Sequence, residues 1–285
     1  MTTTNRRSPV NPAPAMHQER PPVDTSRPNP ARRYDYWLGG KDNVAADRQS
    51  ADQIAQVFPQ IRTAVRENRR FLHRVVGFLT AEAGIHQFLD IGTGLPASPN
   101  VHQVAQNIAP AARIVYVDND PMVVTHARAR TTSTPQGATA YAHADLRSPQ
   151  TILTDPAIHA TLDLTRPVGL LLVAVLHFLD DHDNPHEAVT QLIEALPPGS
   201  YLAISHASLD RLPVHTAGQL AALTATGAHG SFHPRTRDEI TAFLHDLEPV
   251  DPGLVPITQW HPQRAPKPET STEETAIYGA VARLP

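Results

Sequence analysis

The sequence predicts an α/β protein built on a doubly wound, mostly parallel sheet, and three observations predict it. From residue 85 onward, short apolar runs alternate with amphipathic helical stretches, the order expected when helices cover both faces of a parallel sheet. Residues 168–176 are almost uniformly apolar, as in a strand buried on both faces. The stretch Phe88-Leu89-Asp90-Ile91-Gly92-Thr93-Gly94-Leu95-Pro96 carries a buried strand into a turn whose two glycines permit tight folding and close approach of a ligand.

The elements follow in order. Residues 31–82 read as helical: Ile54, Val57, Phe58, Ile61 and Val65 recur at three- and four-residue steps, and Phe71, Leu72, Val75, Val76 and Leu79 form a second amphipathic series. A break is expected at Pro59 or within the charged stretch 66–70, and Gly84 closes the series. Strands are expected at 87–91, 113–118, 139–143, 168–176, 201–205 and 276–282, with a weaker one at 254–257. Helices are expected at 100–108, 121–130, 149–153, 186–196, 214–226 and 236–244; the second of these opens on Pro121, a favoured first-turn residue. Residues 1–30 are proline-rich and poor in large apolar side chains, and read as a disordered tail. Residues 31–285 form one domain, with a helical cap or lid at 31–84 and a sheet core at 85–285.

Composition narrows the function. The net charge is −4 and no basic tract stands out, so nucleic acid is not an expected partner. No run of about 18 apolar residues suggests a membrane span, and the N-terminus lacks the apolar core of a signal peptide. The chain has no cysteine, in keeping with a cytoplasmic location. Its 16 histidines are scattered without zinc-binding spacing, so no metal is expected.

The chemistry gathers at the strand ends. Open α/β sheets bind ligands beyond the carboxyl ends of their strands. Strand one ends at Asp90 before Gly92-Thr93-Gly94. Strand two ends at Asp118, followed by Asn119 and Asp120, and a carboxylate there can accept from both hydroxyls of a ribose. Strand three ends at Asp145 and Leu146, placing a second acceptor where an adenine amine would lie. Strand four ends at Ala174 and Val175, whose backbone can meet a ligand. A nucleoside-bearing cofactor is the expected occupant.

These motifs resemble the class I S-adenosylmethionine-dependent methyltransferases: Asp90-Ile91-Gly92-Thr93-Gly94, Val117-Asp118, Ala144-Asp145-Leu146, Val175-Leu176-His177-Phe178 and the turn Leu196-Pro197-Pro198-Gly199. More narrowly, Arg33-Tyr34-Asp35-Tyr36-Trp37-Leu38-Gly39-Gly40-Lys41-Asp42-Asn43, the 87–96 stretch and Val115-Tyr116-Val117-Asp118-Asn119-Asp120-Pro121 resemble an actinobacterial family of S-adenosyl methyltransferases of uncharacterised function. The resemblance implies a Rossmann-like seven-stranded sheet of order 3-2-1-4-5-7-6 with strand seven antiparallel. It also implies S-adenosylmethionine as cofactor, leaving S-adenosylhomocysteine as product. Pro96 stands where a third glycine is common and has no amide hydrogen, so the amides of Thr93 or Leu95 would meet the methionine carboxylate.

Further candidates follow from position. Tyr36, Lys41 and Asn43, in a segment rich in aromatics and glycines, are expected to face the cofactor from a lid. His177, beyond strand four, and His206, beyond strand five, are the candidate general bases, since imidazole titrates near neutrality. The acceptor is expected to be a small molecule, because a helical cap suggests an enclosed pocket. A homodimer is left open. Two other readings share the glycine turn and the ribose acid: a nicotinamide oxidoreductase, and a non-catalytic protein that binds S-adenosylmethionine.

Overall fold

The computed structural model describes residues 24–130, 132–269 and 275–285. The expected tail, residues 1–30, lies outside the described residues as far as residue 23. Residues 24–29 run irregularly into the first helix, whose N-terminus Asn29 caps by accepting from the amides of Ala31 and Arg32.

Three helices form the cap: α1 (Pro30–Trp37), α2 (Ala45–Val57) and α3 (Ile61–Ala81). The break falls at Pro59. Residues 66–70, the other place expected for it, lie inside α3, because their charges point in different directions: Glu67 and Asn68 are buried while Arg66 is exposed. Gly84 ends α3 in the left-handed conformation (φ +69°), and the Ile85 amide reaches back to the Leu79 carbonyl.

The core then alternates as β1 (Gln87–Ile91), α4 (Val101–Ile108), β2 (Arg113–Asp118), α5 (Pro121–Arg130), β3 (Ala138–His143), α6 (Pro149–Leu153), α7 (Pro156–Thr161), β4 (Gly169–Val173), α8 (Pro185–Glu194), β5 (Tyr201–Ala207), α9 (Val214–Ala225), α10 (Arg237–Thr241), β6 (Glu248–Pro249), β7 (Val255–Pro256) and β8 (Ile277–Arg283). The sheet order is β3-β2-β1-β4-β5-β8-β6, with β7 also on β8. β1 to β5 are parallel; β8 runs antiparallel to β5, and β6 and β7 antiparallel to β8. The last strand is thus inserted antiparallel beside β5, as the resemblance implied. The edge strand differs in being two short pieces. A turn over residues 250–253, closed by the Gly253 amide on the Val250 carbonyl, interrupts it.

Strand alternation sorts the core into two layers. Leu89, Ile91, Leu170, Leu172, Leu202 and Ile204 face α7, α8 and α10. Phe88, Ile114, Tyr116, Leu171, Ala203 and Val281 face α3 and α4. A third cluster lies under the cap, where Trp37, Ile54, Phe58 and Val65 meet Leu220 of α9 and Ala276. Two expectations need correction. The strand at 168–176 stops at Val173, because Ala174 turns left-handed (φ 58°) and residues 176–178 form a 3₁₀ turn. The helix at 236–244 is the five-residue α10 followed by another 3₁₀ turn.

A buried ion pair ties the cap down. Arg32 Nε donates to Asp47 Oδ2 at 2.8 Å, with side chains only 3% and 0% exposed. Asp47 also accepts from the amides of Asn29 and Val44, while the same guanidinium donates to the carbonyls of Asp24 and Arg27 and lies 3.5 Å from Asp120 Oδ2. Removing one member of a buried pair strands the other. Asp47→Ala is therefore expected to cost about 3–5 kcal/mol in urea unfolding. Asp52→Ala, which breaks only exposed contacts, with Arg62 and with the Tyr36 hydroxyl, should cost about 0–1 kcal/mol. Equal losses in the two variants would contradict this account.

Candidate functional site

A cavity of about 410 Å³ lies between the cap and the carboxyl ends of β1 to β5. Asp90, Gly92, Thr93, Gly94, Asp118, Asn119, Asp145, Leu146, Ala174, Val175 and His177 all line it. Tyr36, Lys41, Asn43 and His206 do not.

The glycine turn is built by backbone contacts. Gly92 is left-handed (φ +75°), and a Cβ there would collide with the Val175 side chain. The amides of Gly92 and Thr93 both donate to the Val117 carbonyl, at 2.8 and 3.2 Å. The Thr93 amide is thus engaged inside the sheet, and of the two amides expected to meet a carboxylate this leaves Leu95. The Gly94 amide donates to Asp118 Oδ2 at 2.8 Å, and the Asp120 amide to Oδ1 at 2.9 Å. Asp118 therefore locks the turn to the end of β2 while each oxygen keeps further accepting capacity. Asp120 caps α5 by accepting from the Met122 amide.

Two acids in this floor are electrostatically poised. Burial pushes the Asp90 carboxyl up to about 7, against the nearby Arg69 charge and a hydrogen bond from the Thr93 side chain, which lower it. Burial pushes Asp118 up to about 6, opposed by the amides of Asp120 and Gly94. Asp145 is half-exposed and held below the usual carboxylate range: its partial burial is outweighed by the Asn119 amide, the Arg147 amide and the Arg147 guanidinium. Asn119 thus bridges the ends of β2 and β3.

A chain of hydrogen bonds crosses the cavity floor. The Ala174 amide donates to Ser205 Oγ (3.0 Å), Ser205 to Asn68 Oδ1 (2.6 Å), Asn68 Nδ2 to the Tyr34 hydroxyl (3.1 Å), and Tyr34 to the Val65 carbonyl (3.0 Å). All bonds run in one sense, so each polarises the next. The chain holds the strained turn at Ala174 from the cap.

The lid motif is placed differently from expectation. On α1 the residues at helical spacing, Ala31, Tyr34, Asp35 and Leu38, line the cavity. Tyr36 is out of phase: its hydroxyl donates to Asp52 and its ring lies under the Arg62 guanidinium, 4.8 Å away. Lys41 is exposed. Asn43 closes the turn structurally, donating to Asp35 Oδ2 and the Gly40 carbonyl.

The two histidines also differ from expectation. His206 lies on the opposite face of β5, in phase with Leu202 and Ile204. Its Nδ1 donates to the Ala207 carbonyl, its Nε2 accepts from Arg235, and burial pushes it down to about 4. His206 therefore has no nitrogen free for proton transfer. His177 does reach the cavity, but its Nδ1 accepts from the Ala207 amide at 3.3 Å and burial holds it well below its ordinary value. Its proton then sits on Nε2, so the ring presents a hydrogen-bond donor to the cavity.

Residue-type reasoning missed Arg69, Arg33, Asn68 and Tyr34. Arg69 holds the carbonyls of Ala97 and Pro99 beyond the glycine turn. Its only sequence signal was its place in the charged stretch 66–70, read there as a possible break between helices. Among the described residues no acid or histidine cluster could hold a metal ion, and no helix is long and apolar enough to cross a membrane.

A parallel sheet with a glycine turn and acids at the ends of β1, β2 and β3 defines a protein that binds a nucleoside-bearing ligand. A family model described as S-adenosyl methyltransferase matches residues 16–285. The crystal structure of a DUF574 family protein from Streptomyces avermitilis is 44% identical, covers 93% of this chain and 100% of its own, and superposes with a TM-score of 0.88. A structure from Thermobifida fusca is 40% identical over 92% of this chain and 96% of its own, with a TM-score of 0.82. No curated protein matches the chain. The chain belongs to the S-adenosyl methyltransferase family, and its cofactor is S-adenosylmethionine.

The raised acids give a pH signature in the ligand-free protein. A carboxyl whose folded value lies above its unfolded one binds more protons folded than unfolded, so its contribution to stability falls as pH rises from about 4 to about 7. The buried histidines act in the opposite sense, since they bind fewer protons when folded. A difference measurement isolates the acid: the Tm of Asp90→Asn minus that of the wild type should increase through this window and level off above it. A difference independent of pH would show that Asp90 ionises normally.

Proposed function

We propose that the chain transfers the methyl group of S-adenosylmethionine to a small-molecule acceptor held in the apolar part of the same cavity. The observation that carries this reading is the cavity's continuity: it runs from the glycine turn and its acids to a chamber walled by Trp37, Ile54, Phe58 and Leu220. An apolar pocket partly covered by the cap suits a small molecule, and the net charge of −4 disfavours a nucleic acid.

The residues present fit the cofactor. Asp90, buried and easily ionised by a neighbouring cation, and Arg69 beside it match the ammonium and carboxylate of a methionine group. The unused accepting capacity of Asp118 matches ribose hydroxyls, and Asn119, Asp145 and Leu146, which line the cavity beyond it, are assigned to the base. When bound, S-adenosylmethionine supplies a methyl group on a positively charged sulfur, already activated for in-line displacement. The protein's part is then to position the acceptor and exclude water. His177 Nε2–H can orient an acceptor oxygen. His206 is engaged at both nitrogens and His177 presents a donor to the cavity, so acceptors that attack through an existing lone pair are favoured.

Calorimetry with S-adenosylhomocysteine tests the cofactor site. Asp118→Ala should weaken binding by about 1–3 kcal/mol, and unchanged affinity would place the ribose elsewhere. Pairing with the cofactor favours ionised Asp90 and Asp118, so wild-type affinity should rise through about pH 6–7 with proton release, seen as a buffer-dependent heat. Once an acceptor is found by labelled-methyl transfer, the kcat/KM profile of His177→Gln should keep the wild-type shape. Loss of an acidic limb would restore His177 as base, and cofactor binding with no transfer to any acceptor would favour the non-catalytic reading.

A further inference from the structure

We propose that Arg33 is the anion receptor of the acceptor chamber, so that the methyl acceptor is an apolar molecule bearing a carboxylate. This rests on the methyltransferase reading above and names the substrate class it leaves open.

The Arg33 side chain lines the cavity and is only 4% exposed. Nη1 donates to Ser50 Oγ and to the His229 carbonyl, both neutral, and Nε has no partner. Among the described residues no carboxylate lies within ion-pair distance of it. The nearest acid to affect it, Asp47, is already committed to Arg32 at 2.8 Å. Burial lowers the guanidinium to about 10, so it remains charged at neutral pH. An ionised group buried without a counter-charge is costly, and the ordinary resolution is a partner of opposite sign.

The other buried guanidiniums are better satisfied, by a carboxylate or by an acceptor for each nitrogen, whereas Arg33 leaves Nε without a partner. Arg32 has Asp47, Arg235 has Asp181 and three acceptors besides, and Arg74 is met by the carbonyls of Ile257, Trp260 and Pro266. Arg33 is fixed rather than mobile, because Ser50 and His229, which hold it, also bond to each other at 2.8 Å. Its partners belong to α2 and the loop after α9, and α2 and α9 carry Ile54 and Leu220 of the apolar wall, so the unpartnered donor is assigned to the acceptor end of the cavity. A second buried polar atom there is also unpartnered, the Thr275 hydroxyl, and Thr275 lines the same cavity. Apolar walls with one incompletely partnered guanidinium and one unpartnered hydroxyl, both on residues that line the cavity, suit a molecule with a hydrophobic body and an anionic, hydrogen-bonding head. A planar carboxylate suits the guanidinium fork.

The test uses the full-length protein and matched probes: 3-phenylpropanoate and octanoate, each against its neutral amide. Affinity is measured by calorimetry with and without saturating S-adenosylhomocysteine, and the Arg33 Nε–H resonance is followed by NMR. The acids should bind about 10- to 100-fold more tightly than the amides and shift that resonance. In Arg33→Gln the preference should collapse to about unity with S-adenosylhomocysteine affinity unchanged, and Arg33→Lys should recover part of it. Equal binding of acids and amides, or no shift of the Arg33 resonance with any acid, overturns the proposal. So does loss of S-adenosylhomocysteine affinity in Arg33→Gln, which would assign the residue to the cofactor. If Arg33→Gln does not fold, the wild-type acid–amide ratio and the resonance decide. Failure of the wild type to bind S-adenosylhomocysteine would remove the methyltransferase reading alone, since the acid–amide comparison is also run without it.

Discussion

The pairing of Arg32 with Asp47, both buried, is the contact on which the rest of the site depends. Neither charge reaches water, so each requires the other, and the segments that carry them have no freedom to drift apart. Around this pair the start of α1, the start of α2 and the residue capping α5 are drawn together at the end of the sheet. The cap is thereby placed over the strand ends, and the space between them becomes a cavity that the cap partly covers. Burial at the strand ends in turn produces the electrostatics: Asp90 and Asp118 are pushed up because they are removed from water.

Around that cavity the strands divide the labour by their alternation. On β5, Ser205 and Ala207 turn toward α3 and the cavity, while His206 turns toward Phe243 and Arg235. On β1, Asp90 lies at the end of the face that Phe88 opens. A polar group's function is set by this two-residue phase as much as by its chemistry. Two histidines with the same expected role end on opposite sides of the sheet for this reason, or with the basic nitrogen engaged by a backbone amide.

The parts legible in the sequence were those whose signal is local. The glycine turn, the acids at the ends of β1, β2 and β3, and the alternation of strands and helices are all written in short windows, and each stands where it was expected. The Gly39–Gly40 pair and the aromatics around it were also visible, but their meaning depended on helical phase: Tyr34 and Leu38 face inward, and Tyr36 faces Asp52. The end of β4 was hidden because residues 174–176 stay apolar while the backbone turns left-handed. Asn68 and Arg33 were hidden because their partners lie far away in sequence, 137 residues on at Ser205 and 196 at His229.

The hydrogen-bonded series from Ala174 to Val65 bears on how such an enzyme can change over evolutionary time. Its links come from β4, β5, α3 and α1, so the roof and the floor of the cavity are not separate modules. A cap borrowed from another protein would need a hydroxyl at the place of Tyr34 and an amide at the place of Asn68, or it would leave Ser205 and the turn at Ala174 unsupported. On the proposed reading, variation in acceptor preference is therefore cheaper on the apolar walls, at positions such as Ile54, Phe58 and Leu220, than by replacing the helices that carry them.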